Sequence, residues 1–84
     1  IPVTDAYMSY KKPAKYGQKV YVETTLREYK GARITFDYTI KSSEGEVLVT
    51  GYTKHGLVGK DLKPVRLRNV NEEWHLAMQN AIKG

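Results

Sequence analysis

The sequence has no cysteine, three prolines, one tryptophan and one phenylalanine in 84 residues. Without cysteine the chain can form neither disulfide bonds nor thiolate metal sites, which is compatible with a reducing cytoplasm. It also lacks the run of about 20 apolar residues that a transmembrane helix needs, so we expect no membrane insertion. Its first residues show no signal-peptide pattern. The hydrophobic fraction of 40% is typical of a folded chain, and the length fits one domain.

Apolar and polar residues alternate through the stretch from Gly31 to Lys41. Successive side chains of a strand point to opposite faces, so this pattern predicts a β-strand with one buried and one solvated face. The buried positions are predicted to be Ala32, Ile34, Phe36, Tyr38 and Ile40.

Similar patterns predict strands on both sides, at about residues 1–10, 19–29 and 46–58. Lys30-Gly31 is short enough for a tight turn, and Ser42-Ser43-Glu44-Gly45 is a hairpin signal. Long alternating strands joined this way predict a four-stranded antiparallel sheet. Gly51 and Gly56 within the last strand suggest a bend, a bulge or close approach by another backbone.

A terminal amphipathic helix is predicted to follow the sheet. Asn69-Val70-Asn71-Glu72 resembles a capping box with Asn69 as the N-cap. The apolar residues of the predicted buried helix face are Trp74, Ala77, Met78, Ala81 and Ile82. The fold class is therefore α+β. One short helix covers such a sheet thinly, so we expect another helix or another subunit to complete the core.

The net charge of +5 suggests an anionic partner, which could be nucleic acid, an acidic membrane or a phosphate-bearing small molecule, although it could also serve only solubility. Lys30 and Arg33 flank the start of the central strand, and Lys54 lies on its predicted neighbour. The basic residues that follow are Lys60, Lys63, Arg66 and Arg68. Such a cluster could hold phosphates, or it could protect a sheet edge from pairing. Since the basic residues are spread and the tyrosines do not cluster, nucleic-acid binding ranks last.

No arrangement of side chains predicts a catalytic centre by itself. His55 and His75 lie on different elements without the spacing of a metal site. We interpret His55 as a hydrogen-bonded packing residue and His75 as solvated. Asp37, on the polar parity of the central strand, is expected to pair with a cross-strand Arg or Lys.

The order of these features resembles the hot-dog acyl-CoA thioesterases, and within them the 4-hydroxybenzoyl-CoA and Tol-Pal-associated thioesterase group. The resemblance covers nearly the whole chain, and its strength is in the order and spacing of weak matches. Those matches are Val3–Tyr10 with Lys12–Gln18, Lys30–Phe36, Gly51–His55 with Leu57-Val58, and Lys63–Leu67. The chain departs from many relatives at Gln18 and at Gly59, where they often have Asp.

The resemblance implies hydrolysis of an acyl-CoA thioester to a free acid and CoA. In the family, a catalytic Asp lies in a loop before a long central helix, and both precede the segment matched by residues 1–84. We therefore expect a single hot-dog domain that is truncated at its N-terminus, lacks a catalytic residue of its own and shows no hydrolysis as an isolated chain. The alternative is a non-catalytic hot-dog module that binds acyl-CoA or a protein partner.

The resemblance also assigns binding residues. Lys30, Gly31 and Arg33 match the stretch that touches the nucleotide and its phosphates, and Lys54 and His55 are further candidates for the same groove. Val3 and Thr4 match the strand that borders the acyl pocket. The resemblance implies no metal and no cofactor beyond CoA as part of the substrate. It implies a homodimer or homotetramer, because hot-dog domains pair their sheets edge to edge.

Overall fold

The computed structural model describes residues 3–83, so the first two residues of the first predicted strand lie outside the described part. The elements, in chain order, are β1 (Val3–Tyr10), β2 (Val20–Lys30), β3 (Arg33–Ser42), β4 (Val47–Gly56), α1 (Leu67–Val70) and α2 (Glu72–Lys83). The predicted strands are all present, each within a few residues of its predicted bounds. Among the described residues, no helix is both long and apolar enough to span a membrane.

The strands form one antiparallel sheet in the order β1-β4-β3-β2. Its central pair, β3 and β4, includes the strand with the longest alternation. A register shift in β2 between Leu26 and Glu28 inserts one extra residue. Because of this bulge, Leu26 lies beside Phe36 and Tyr29 beside Ile34, so both β2 residues share the apolar face of β3.

This apolar face, here called the inner face, is closed around Ile34 and open along its middle, although Ser42 at the opposite end of β3 is 3% exposed. Ile34 is 1% exposed, whereas Phe36 and Ile40 are half-buried and Val22 is 59% exposed. The end closed around Ile34 contains the β2–β3 turn, the start of β1 and the end of β4; we call it the turn end. Helix α2 contacts β2, so within the described chain most of the inner face has no helix over it. The expectation that one helix covers the sheet thinly is confirmed.

The opposite face of β3, here called the outer face, carries cross-strand ion pairs. Arg27 donates to both carboxylate oxygens of Asp37, with Nε 2.9 Å from Oδ2, and Lys41 Nζ lies 3.0 Å from Glu23 Oε1. The predicted cross-strand partner of Asp37 is thus confirmed. The hydrogen bond from Arg27 lowers the pKa of the Asp37 carboxyl from its ordinary value.

Thr35 differs from the prediction of a wholly solvated outer face, because it is 4% exposed. The chain that follows β4 stays against this end of the sheet: the Leu57 N–H donates to the Ala32 carbonyl, and the Val65 N–H donates to the Leu57 carbonyl. Alternation along one strand does not reveal such a covering segment.

β4 and β1 approach each other closely at Gly51. A Cβ atom at this position would lie 2.4 Å from the carbonyl oxygen of Tyr7 and 2.5 Å from Sδ of Met8. Of the bend, bulge or close approach suggested for the glycines of this strand, the structure shows close approach at Gly51, and no other residue fits here without movement of β1.

The prediction that Asn69 caps the terminal helix is wrong. Asn69 lies inside the short helix α1, and the cap of α2 is Asn71, whose backbone is extended at φ −154° and ψ 101°. The Asn71 side-chain oxygen accepts a hydrogen bond from the Trp74 N–H at 3.1 Å, and its carbonyl accepts one from the His75 N–H. Both Asn residues have the right chemistry, and the backbone conformation decides between them.

The predicted buried face of the terminal helix is wrong in part: Met78 is half-buried and Ile82 lies on the side of His75, but the other predicted residues are exposed. Trp74 is 55% exposed and Ala77 is exposed, whereas His75 is 7% exposed. The face that packs on the sheet is rotated by one residue, because the His75 ring lies against Tyr29 with 5.5 Å between the ring centroids. The interpretation of His75 as solvated is therefore incorrect.

Candidate functional site

The residues assigned to CoA and acyl binding all lie at the turn end of the sheet. Arg33 is paired with Lys30 across the β2–β3 turn and with Gly56 on β4, and Val3 is paired with His55. Antiparallel pairing thus gathers residues that are far apart in sequence at one end of the sheet. The residues so gathered are Val3, Thr4, Lys30, Gly31, Arg33, Lys54 and His55.

A cavity of about 470 Å³ opens at this end, and we call it the strand cavity. Of the predicted residues, Thr4, Arg33, Lys54 and His55 line it, together with Leu57 and other residues of the segment after β4. Val3, Lys30 and Gly31 lie outside its lining.

Lys54 and His55 are neighbours in sequence, but their side chains lie on opposite faces of the sheet. The Lys54 ammonium lies 5.7 Å from the centre of the Tyr52 ring on the outer face. The His55 ring packs edge-on against Phe36 on the inner face, and its Nε2 lies 2.8 Å from Thr53 Oγ1. His55 is thus both packed and hydrogen-bonded, whereas Lys54 is exposed and available to an anionic ligand.

The remaining basic residues border a neighbouring cavity of about 530 Å³, here called the turn cavity, which is lined by Lys30, Gly31, Ala32, Pro64 and Arg66. Gly31 makes the tight turn with φ +57°, a conformation that glycine adopts readily. A Cβ atom at Gly31 would lie 3.5 Å from Cγ and Nη1 of Arg66. The Arg66 side chain therefore lies over the turn, beside Lys30.

Two acidic residues of the strand cavity were not predicted. Asp5 and Glu28 both line it. The Thr4 hydroxyl lies 3.3 Å from Asp5 Oδ2 and 3.2 Å from the Lys54 carbonyl, so it can donate to either acceptor. The adjacency of Asp5 to Thr4 was a usable signal, whereas Glu28 reaches its place beside Thr35 only through the bulge in β2.

In the part of the chain that the structure describes, no group of three or more His, Asp or Glu side chains is arranged to hold a metal ion. The arrangement at the turn end is instead one of two open cavities: the strand cavity has Arg33 and Lys54 together with Asp5 and Glu28, and the lining of the turn cavity has Lys30 and Arg66 without an acidic residue. Such surfaces suit phosphorylated ligands, since Lys and Arg form charge-assisted hydrogen bonds to phosphate oxygens.

Solved hot-dog domains match this architecture. The DHNA-CoA thioesterase of Staphylococcus aureus superimposes with a TM-score of 0.87 at 36% identity, over 94% of this chain and 54% of that one. The 1,4-dihydroxy-2-naphthoyl-CoA thioesterase Slr0204 of Synechocystis shares the fold with a TM-score of 0.82 at 24% identity, over 92% of this chain and 56% of that one. The four-stranded antiparallel sheet with its terminal helix is a hot-dog architecture.

The family follows from sequence similarity. The sequence model of the family described as the Thioesterase-like superfamily matches residues 1–75. The putative acyl-CoA thioesterase YneP of Bacillus subtilis (strain 168) is 35% identical over 83 residues, which are 98% of this chain and 60% of that protein. The chain belongs to the thioesterase-like superfamily, and it spans little more than half the length of the relatives that it matches.

Proposed function

We propose that the protein hydrolyses acyl-CoA thioesters, releasing a free acid and CoA, and that the described chain supplies the sheet and the CoA-contacting residues. The main support for this proposal is that Lys30, Arg33 and Lys54 lie together at one end of the hot-dog sheet. The chain with this sheet belongs to the thioesterase-like superfamily. The relatives described as acyl-CoA or DHNA-CoA thioesterases support the same substrate class.

The charges at the turn end favour the phosphorylated part of the substrate. Arg33 and Lys54 line the strand cavity, and Lys30 lines the turn cavity beside it. All three side chains are exposed, so they can contact a ligand without the cost of uncovering a buried charge. The proposal assigns nucleotide and phosphate contacts to Lys30, Gly31 and Arg33, with Lys54 and His55 farther along the groove. Val3 and Thr4 border the acyl group, and no cofactor beyond the CoA of the substrate is proposed.

CoA release, followed with a thiol reagent, tests the activity. The full-length protein is expected to release CoA from acyl-CoA thioesters, and the variant with both Lys30→Ala and Arg33→Ala is expected to show a raised KM. Binding of acyl-CoA without any release would refute hydrolysis and favour the non-catalytic module. Absence of both binding and release would refute the substrate class.

The assembly is part of the same proposal. β1 and β2 are the outer strands of the sheet, and the outer edge of β1 carries no strand from the described chain. We propose a homodimer or homotetramer formed by edge-to-edge pairing of hot-dog sheets, acting in the cytoplasm. Light scattering on the purified protein should give at least twice the monomer mass; a monomer at all concentrations would contradict this assembly.

A further inference from the structure

The end of the sheet opposite the turn end, here called the loop end, carries basic residues that the proposed function does not use. The connection between β1 and β2, residues 11–19, lies there, and we call it the basic loop. Its lysines are Lys11, Lys12, Lys15 and Lys19. All of its residues except Gln18 are exposed. The strand cavity and the turn cavity lie at the turn end, and the basic loop lines neither of them.

The tip of the basic loop is a hydrogen-bonded turn that holds Tyr16 out in solvent. The Lys15 N–H donates to Gln18 Oε1 at 2.8 Å, and the Gln18 N–H donates to the Lys15 carbonyl at 3.0 Å. Gly17, at φ +77°, supplies the left-handed conformation that closes the turn. Tyr16 is 107% exposed, which is the exposure of a side chain without a covering neighbour, and Tyr10 at the end of β1 is 78% exposed. Tyrosine rings thus stand free beside the lysines.

Positive charge is in excess at the loop end. Among the ion pairs found in residues 3–83, those that involve the basic loop are limited to the pair between Lys12 and Glu46. The other lysines of the loop have no carboxylate partner within that set. Glu44, in the β3–β4 turn at the same end, is exposed and offsets only part of their charge. The basic loop is therefore a cationic surface with aromatic side chains at its rim.

We propose that the basic loop binds the headgroups of an anionic lipid surface. The negative potential of such a surface attracts lysine side chains, and each lysine near it strengthens binding by about fivefold. Tyrosine suits the boundary of a membrane, because its ring is apolar and its hydroxyl reaches water.

The shape of the basic loop favours a lipid surface over an acidic peptide. Proteins bind peptides in grooves or along sheet edges, whereas a protruding turn such as the one at Tyr16 can lie against a fluid surface without a shaped pocket. The contact is peripheral, since it needs only the side chains of the loop. It depends on neither the proposed hydrolysis nor the residues at the turn end.

Sedimentation with lipid vesicles tests the proposal. The full-length protein should sediment with vesicles of phosphatidylcholine and phosphatidylglycerol in equal parts, but not with vesicles of phosphatidylcholine alone. Added salt should release it, because salt screens exposed charges. The variant with both Lys15→Gln and Lys19→Gln should bind acidic vesicles about 25-fold more weakly. The matched control, with both Lys60→Gln and Lys63→Gln, loses the same charge from exposed positions after β4 and should bind as the wild type does.

Tyr16 gives a second measurement. Tyr16→Ser should weaken binding to acidic vesicles more than Tyr16→Phe, which keeps the ring, and neither variant should change thermal unfolding because Tyr16 is fully exposed. Equal binding to both kinds of vesicle, or equal losses in the two double-lysine variants, would overturn the proposal. If acidic vesicles are not bound but polyglutamate is, through Lys15 and Lys19, the partner is an acidic polypeptide and the lipid assignment is wrong. Binding to neither probe also overturns it, and CoA release measured separately decides the proposed function in every case.

Discussion

Replacement of Gly51 by alanine should destabilise the sheet at the contact between β4 and β1. The added Cβ would lie 2.4 Å from the Tyr7 carbonyl oxygen, and contacts below 3.0 Å require a neighbouring atom to move. The Met8 thioether, 2.5 Å away, can rotate, but the Tyr7 carbonyl moves only with its strand. β1 must therefore shift away from β4.

The expected loss is about 1–2 kcal/mol. Overpacking of this kind costs about 1–3 kcal/mol, and alanine regains about 0.4–1 kcal/mol by restricting the unfolded chain. A chain of this size has an m-value of about 1 kcal/mol/M in urea, so the unfolding midpoint should fall by about 1–2 M.

Urea unfolding followed by circular dichroism measures this difference. Gly56→Ala, on the same strand, is the control, because its Cβ would meet only Cγ2 of Thr4 at 3.3 Å, a methyl group that can move. A midpoint for Gly51→Ala equal to that of Gly56→Ala or of the wild type would refute the close approach.

Two further predictions concern the helix cap and the outer face. Asn71→Ala should cost about 1 kcal/mol of unfolding free energy through loss of the cap, whereas Asn69→Ala should change it little; the reverse order in thermal unfolding would contradict the cap assignment. Arg27 holds the folded-state pKa of Asp37 below its unfolded value. The contribution of this carboxylate to the free energy of unfolding is therefore present above about pH 4 and is lost as the pH falls through the lowered pKa. Acid unfolding of Asp37→Asn should therefore depend less steeply on pH below about 4 than that of the wild type, and identical slopes would refute the coupling.

The strands could be predicted because apolar and polar residues alternate along much of the sequence. In β3 the inner side chains Ile34, Phe36 and Ile40 are more apolar than their neighbours. Asp37 lies on the outer face, where a cationic cross-strand partner was expected, and that partner is Arg27. These are local properties, and the tight turns at Gly31 and Gly45 fix how neighbouring strands meet.

The terminal helix could not be predicted as well. Its composition places Trp74 on an apolar stripe and His75 on the polar side, yet His75 is the buried residue. A histidine becomes a packing residue only when partners from elsewhere satisfy both ring nitrogens, here Tyr29 from β2 and Arg68 from α1. Such partners are set by tertiary structure, which helical periodicity does not contain.

The site was predictable only in part for the same reason. Residues at the β2–β3 turn, such as Lys30 and Arg33, are neighbours in sequence and remain neighbours in space. Arg66 follows a long loop, and only the folded chain shows that its side chain lies over Gly31.

Calorimetric titration with CoA tests the central claim, that the turn end of the sheet holds the phosphorylated part of the substrate. The variant with both Lys30→Ala and Arg33→Ala should bind CoA at least about tenfold more weakly than the wild type. The control variant with both Lys11→Ala and Lys19→Ala loses the same charge from the opposite end of the sheet, next to the end of β1 and the start of β2, and should bind as the wild type does. Equal affinities for all three proteins, or equal losses in the two variants, would contradict the claim.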